Sequence, residues 1–243
     1  MPGLIFDYHT HTTYSHGKGS IEDNVQEGIR KGLSEIAIAD HGPGHIAYGM
    51  KRSSIRVMRE EIDQLQKKYQ EIKIYLSVEA NIMNLSGKID VSEEEWKIYD
   101  FVLAGYHYGA FGERPFQDLI VHGKNYVLSA LGTSTRKLKI ANTERMIRSI
   151  YENKLKLITH PGDKYDIFID EVAKACNETG TWMEINNSHP HLTKETIIEC
   201  AKEDVTFVIG SDAHVSEKVG NYQNALARIE DAGLDKKRVI NLK

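Results

Sequence analysis

The sequence predicts an α/β fold in which about seven parallel strands close into a TIM-like barrel. Two patterns predict it. Short apolar runs alternate with helical stretches along the chain, which implies βαβ units and a parallel sheet. The runs are apolar on both faces, as expected of strands covered on both sides. An open, doubly wound sheet satisfies the same alternation, because a sequence does not show closure. A third observation bears on function: six of the seven runs lead to a residue able to bind a metal ion. The C-terminal ends of barrel strands share one rim, where active sites are found. A metal site is therefore predicted there.

The first run, Leu4–Tyr8, ends in His9-Thr10-His11. Residues i and i+2 of an extended segment share a side, so both imidazoles can reach one ion. Thr12 to Gly19 is a loop holding His16. Ser20 caps a helix, with Asp23 in place of the usual Glu of a capping box. Ile21, Val25 and Ile29 mark its inner face, and Gly32 ends it. The second strand, Ser34–Ala39, leads to Asp40-His41 and to a loop, His41-Gly42-Pro43-Gly44-His45, over the strand end. Ser53 or Ser54 opens a long charged helix with Ile55, Met58, Ile62 and Leu65 on one face.

The third strand, Ile72–Val78, is followed by Glu79. A turn at Asn84-Leu85-Ser86-Gly87-Lys88 and a short helix from Ser92 to Ile98 precede the fourth strand, Asp100–Ala104, which leads to His107. From Tyr108 to about Ile140 the rhythm breaks at Gly109, Gly112 and Pro115, and an inserted helix is predicted from Phe116 to Leu131. A helix from Thr143 to Glu152 restores the alternation and leads to the fifth strand, Leu155–Ile158, and His160. A helix over Asp166–Thr179 stops at Gly180, before the sixth strand, Thr181–Ile185. A helix over Thr193–Glu203 connects to the seventh strand, Val205–Ile209, followed by Asp212 and His214; the last helix covers about Tyr222–Ala232. One domain over residues 1–243 is expected, since α/β barrels reach this size undivided.

Composition sets further bounds. Hydrophobic content of 40% and charged content of 27% describe an ordinary soluble globular protein. The net charge of −4 argues against a general affinity for nucleic acid, which usually needs a basic stripe. Cys176 and Cys200 both lie in helical stretches without metal-ligand spacing, so two reduced thiols in a cytoplasmic protein are expected. The N-terminus has no basic segment followed by an apolar stretch, and no run is long enough to cross a bilayer, so no membrane partner is expected.

Each candidate ligand has a plain alternative when taken alone. His11 or His160 could be a hydrogen-bonded loop histidine, Glu79 an exposed strand-end carboxylate, and Asp212 a helix cap. Independent plain explanations for all of them are far less economical than one site. In order along the chain, His9-Thr10-His11 with Ser15-His16, Ala39-Asp40-His41-Gly42, Glu79, Ala104-Gly105-Tyr106-His107, Thr159-His160-Pro161-Gly162 and Ser211-Asp212-Ala213-His214 resemble the PHP (polymerase and histidinol phosphatase) domain family. Glu79-Ala80-Asn81-Ile82 and Glu184-Ile185-Asn186-Asn187-Ser188 are most similar to its small stand-alone phosphatase branch.

The resemblance implies a distorted (β/α)7 barrel holding three metal ions. One would take His9, His11, Glu79 and Asp212; a second Glu79, His107 and His160, with Glu79 bridging; the third His16, His41 and His214. Glu79, Asp212 and His214 are the expected catalytic positions. Mostly imidazole donors with few carboxylates suit zinc, iron or manganese better than calcium or magnesium. Two carboxylates leave such a cluster strongly positive, which favours an anionic ligand such as phosphate.

The expected activity is therefore a metal-dependent phosphatase acting on a small phosphorylated metabolite, with a metal-bound hydroxide as nucleophile. Histidinol phosphate is one alternative substrate. A 3′–5′ exonuclease like the PHP domains of X-family DNA polymerases is a second class, opposed by the absence of a basic, aromatic-lined stretch. A degenerate scaffold is a third, opposed by the presence of all nine ligands. His45, Arg52, Arg114 and Lys164 fall in or near rim loops and are candidates to meet the substrate phosphate, although each taken alone reads better as a plain surface charge. Asp40, beside His41, is a candidate to orient or tune the site, with a solvated loop carboxylate as the alternative; His189 and His191 could line the pocket, and His122 is not expected to be a ligand.

Overall fold

The computed structural model describes residues 3–83, 86–111, 115–131 and 133–243. Three parallel strands, β1 (Phe6–Thr10), β2 (Glu35–Ile38) and β3 (Lys73–Leu76), form one sheet. Five more, β4 (Glu79–Asn81), β5 (Leu103–Gly105), β6 (Leu157–Ile158), β7 (Trp182–Asn186) and β8 (Phe207–Gly210), form a second, also parallel throughout. Backbone bonds carry the circuit from one sheet to the other. Ser77 N donates to Ile38 O and Glu79 N to Asp40 O, while Leu103 N donates to Val78 O. At the far side, His11 N donates to Ala213 O, and Thr10 and Ala213 form a parallel bridge.

The predicted third strand is thus two. At Ser77–Val78 the chain passes from pairing with β2 alone to pairing with the end of β2 on one side and β5 on the other. Counting β3 and β4 as one stave gives the seven staves read from the sequence.

Among the described residues, eight α-helices cover the barrel: α1 (Ile21–Arg30), α2 (Ser54–Lys68), α3 (Glu93–Trp96), α4 (Pro115–Ala130), α5 (Arg136–Glu152), α6 (Ile169–Thr179), α7 (Lys194–Cys200) and α8 (Gln223–Ala232). The Ser20–Asp23 capping box is formed in both directions. α5 starts two turns before Thr143, at a cap made by Thr135. Thr143 lies mid-helix, where its hydroxyl donates to Lys139 O and accepts from Phe168 N. Asn142 beside it is held by Asn125 of α4 and by Asp166 O. Long-range bonds to the inserted helix thus override a residue that reads locally as a helix start.

The barrel interior has two layers. The lower one is apolar and aromatic: Phe6, Tyr8, Ala37, Ala39, Leu103, Leu157 and Val208 pack together, with Phe101 and Trp182 against them. Because side chains alternate along a strand, continuing each strand by two residues reaches the upper layer. Ala39 leads to His41, Leu103 to Gly105 and His107, Trp182 to Glu184 and Asn186, and Val208 to Gly210 and Asp212. In β1 the register shifts between Asp7 and Thr10, which brings His9 as well as Tyr8 to the interior. Cys176 and Cys200 are buried and unpaired, and burial pushes both thiols up. Among the described residues no helix is long and apolar enough to cross a membrane.

Candidate metal centre

Glu79 lies at the middle of the upper layer, fully buried. Its Oε1 is 2.8 Å from His160 Nε2, 3.4 Å from His9 Nε2 and 3.4 Å from His107 Nε2. Its Oε2 is 2.9 Å from His41 Nδ1 and 3.7 Å from His11 Nε2. Asp212 is the second carboxylate, with Oδ1 at 3.2 Å from His11 Nε2, 3.6 Å from His9 Nε2 and 3.4 Å from His214 Nδ1. Both His160 and Asp212 have positive φ, 28° and 53°. A left-handed backbone is unusual for residues other than glycine, and such strain gathers at functional positions.

Four sets of side chains bring ligand atoms within 4.8 Å of one another: His9–His11–Asp212, His9–Glu79–His160, His41–Glu79–His107 and His11–His41–His214. Eight of the nine residues singled out in the sequence are in these sets. The ninth, His16, is exposed, with its ring centroid 4.2 Å from that of His214 and 4.9 Å from that of His41.

The donor chemistry fits divalent metal ions. His9 Nε2, both ring nitrogens of His11 and His41, His107 Nε2 and Glu79 Oε2 are buried without a hydrogen-bond partner. Buried polar atoms are rarely left in that state, and imidazole lone pairs facing carboxylates are what transition metals take. The electrostatics divide the imidazoles: against burial, which lowers both, Glu184, Glu79 and Asp212 push His9 up and Glu79 pushes His160 up, as where a cation between them is favoured. Burial alone would raise the Glu79 carboxyl, but His107, His9, His41 and His160 around it hold it well below the usual range. Burial, assisted by His11, holds His214 down at about 4 and His41 well below its ordinary value. Both are therefore neutral near pH 7, with lone pairs to give.

Several residues quoted above only as parts of motifs, with no role at the site, belong to it. Glu184 Oε1 faces His9 Nδ1 at 2.7 Å, and its Oε2 accepts from His160 N and Asn186 Nδ2. Asn81 Oδ1 faces His107 Nδ1 at 2.9 Å, and Thr159 Oγ1 donates to Glu79 Oε1 at 2.6 Å. These are outer groups that fix the orientation and tautomer of a ligand. The i, i+2 rule applied to His9 and His11 was the available signal, since Glu79/Asn81 and Glu184/Asn186 repeat it. Two glycines make room for the carboxylates. A Cβ on Gly210 would lie 1.9 Å from Glu184 Oε1, and one on Gly105 would lie 2.3 Å from Thr159 Oγ1.

The remaining candidates are distributed as follows. Asp40 accepts from Thr12 N, Thr12 Oγ1 and Ser15 Oγ, so it fixes the loop that carries His16 and makes no bond to His41. His45 is buried, with one ring nitrogen on Tyr108 O and the other accepting from Ala47 N and Tyr48 N. Arg52 is tied to Glu95 and to Asp90 O. Lys164 pairs with Asp163. His189 bridges Asp163 and Asp212, at 3.1 and 3.2 Å, and His191 reaches Asp163 at 2.6 Å. His122, on the buried face of α4, bonds to Tyr106 Oη and Ala110 O. Arg114 and Gly112 lie outside the described residues.

Comparison with known proteins places this chain in a lineage. The PHP domain matches residues 7–232. The chain is 33% identical to a probable phosphatase of Caldanaerobacter subterraneus subsp. tengcongensis, over 98% of this chain and 87% of that protein. It is 34% identical to a probable phosphatase of Shewanella sp. W3-18-1, over 97% and 86%. Among solved structures, the histidinol phosphate phosphatase of Lactococcus lactis, complexed with zinc, L-histidinol and phosphate, superposes with a TM-score of 0.63 at 18% identity, covering 96% of this chain and 95% of that one. The putative histidinol phosphatase of Listeria monocytogenes gives 0.66 at 17%, covering 90% and 98%. At those identities the two structures bear on the fold alone, and the fold agrees. With one family covering nearly all of its length, and relatives a third identical from end to end, the chain belongs to the PHP domain family.

Proposed function

We propose that the chain is a metal-dependent phosphatase that hydrolyses phosphomonoesters of a small metabolite at a site for three divalent transition-metal ions, zinc, manganese or iron. The observation that carries this reading is Glu79, a buried carboxylate facing five imidazoles, four of which have buried ring nitrogens without a hydrogen bond. His9, His11, Glu79 and Asp212 would hold one ion, Glu79, His107 and His160 a second, and His41 and His214 with His16 the third. Bound there, such ions lower the pKa of water and stabilise charge on phosphate oxygens during in-line displacement.

The chain's own residues set up that chemistry. Glu184 accepts a hydrogen bond from His9 Nδ1–H, leaving Nε2 as the ligating atom. Asn81 does the same for His107. Thr159 orients Glu79, and Asn186 and His189 hold Asp212 Oδ2, so that Oδ1 is left for the ion. Glu79, Asp212 and His214 act as the catalytic positions, and Arg114 and Lys164 are the side chains proposed to meet substrate.

The relatives named probable phosphatases support the reaction class. The Lactococcus enzyme, bound to zinc, L-histidinol and phosphate, supports the metal and the small phosphorylated substrate. The net charge of −4 favours a metabolite over a nucleic acid. The test is a screen of metal-loaded protein against phosphorylated metabolites, L-histidinol phosphate among them, and short oligonucleotides. Hydrolysis of one or a few metabolites is expected. Turnover of oligonucleotides alone would move the chain to nucleic-acid processing, and silence on both panels would leave it a scaffold.

A further inference from the structure

Helix α4 is amphipathic the wrong way round for a solvent-facing helix. Its buried face is polar: Asp118, His122 and Asn125 are each less than 7% exposed. His122 bonds to Tyr106 and Ala110 O, and Asn125 bonds to Tyr106 and Asn142. Its outer face is apolar apart from Lys124. Phe116 is 75% exposed, Leu119 55%, Ile120 46%, Tyr126 63%, Val127 53% and, one residue past the helix, Leu131 69%. Patches of this kind mark interaction surfaces.

We propose that α4 is the face through which two copies of this chain associate. Three observations favour a second copy as the occupant. Phe116, Ile120, Gly123, Val127 and Leu131 recur at helical spacing and form one stripe with Gly123 at its centre. A two-fold axis near Gly123 sets Phe116 against Leu131 of the other copy and Ile120 against Val127, a self-complementary pairing of large with smaller side chains. The glycine itself has no explanation within the chain. A Cβ there would meet nothing within 4 Å, and a mid-helix glycine costs roughly 0.5–1 kcal/mol against alanine. A second helix crossing closely at that point supplies the reason.

The area also suits a dimer. The exposed stripe and Tyr126 amount to roughly 600 Å², taking roughly 200 Å² for a large side chain. A standard interface buries about 800 Å² per partner. Beside the crossing point, Val121, Val127, Leu128, Leu138 and Ala141 line a groove of ≈ 730 Å³ between α4 and α5, with Lys124, Lys137 and Arg145 at its walls.

Sedimentation velocity of the full-length, metal-loaded chain tests this. A dimer is expected at about 10 μM, and Ile120→Glu and Val127→Glu should each weaken it by at least ~100-fold, the scale of losing a central interface contact. Gly123→Leu guards against misfolding: it should leave circular dichroism and the thermal midpoint unchanged or improved, because nothing in the chain crowds the new side chain, while dissociating the dimer. A wild-type chain that stays monomeric to ~100 μM, or a dimer unmoved by all three substitutions, would overturn the proposal. So would a monomer captured by phospholipid vesicles, which would assign the stripe to a membrane surface.

Discussion

Glu79→Gln keeps the size and shape of the side chain and removes one negative charge. In the protein that charge is fully buried, with two oxygens 2.8–3.7 Å from five imidazole nitrogens. One amide oxygen can still accept from Thr159 Oγ1, which bonds Oε1 at 2.6 Å. The amide nitrogen would then face His41 and His11, where it can donate but cannot ligate a cation. One of the two carboxylates available to the cluster is thereby lost, along with the group proposed to hold two ions together. Removing a preorganised group that acts on the transition state typically lowers kcat by 10²–10³, so a fall of more than ~100-fold is expected. The assay is steady-state phosphatase kinetics with metal content measured on the same sample, and circular dichroism confirming the fold. A variant with full metal content and near-normal kcat would refute the bridging role.

Three further substitutions probe the surrounding shells. Glu184→Gln should weaken metal binding ~10–100-fold, the effect of losing a ligand-orienting partner, and excess metal should restore much of the activity; titration with a competing chelator measures it. Gly210→Ala places a Cβ 1.9 Å from a Glu184 oxygen that is already locked to His9, so it should reproduce the Glu184→Gln deficit, whereas unchanged metal affinity would show that the carboxylate can move aside. Arg114→Ala should raise KM for the preferred substrate with metal content intact and little change on p-nitrophenyl phosphate; equal losses on both would place its effect in the metal site.

Much of this architecture was legible because the two governing signals are local. Strand–helix alternation and the ligand after each strand need only neighbouring residues, and both lead to the rim. The parts that were not legible depend on distant partners. The break between β3 and β4 arises where Val78 and Glu79 exchange bonds with different strands. The early start of α5 follows from Asn142 and Thr143 bonding to α4 and to Phe168 rather than to a local turn. Asp40 sits beside His41 in sequence yet binds Thr12 and Ser15 across the rim. His45, a rim-loop histidine that reads as substrate-facing, is closed off by Tyr108, Ala47 and Tyr48. The polar inner face of α4 is recognisable only once Tyr106 and Asn142 are seen beneath it.

If metal ions at the barrel rim carry the reaction, the metal content of the purified chain sets its activity, and the two are measured on the same sample. More than one transition-metal ion per chain is predicted, with hydrolysis abolished by chelation and restored by zinc, manganese or iron. A chain that binds no metal and hydrolyses phosphomonoesters undisturbed by chelator would contradict that role for the metal.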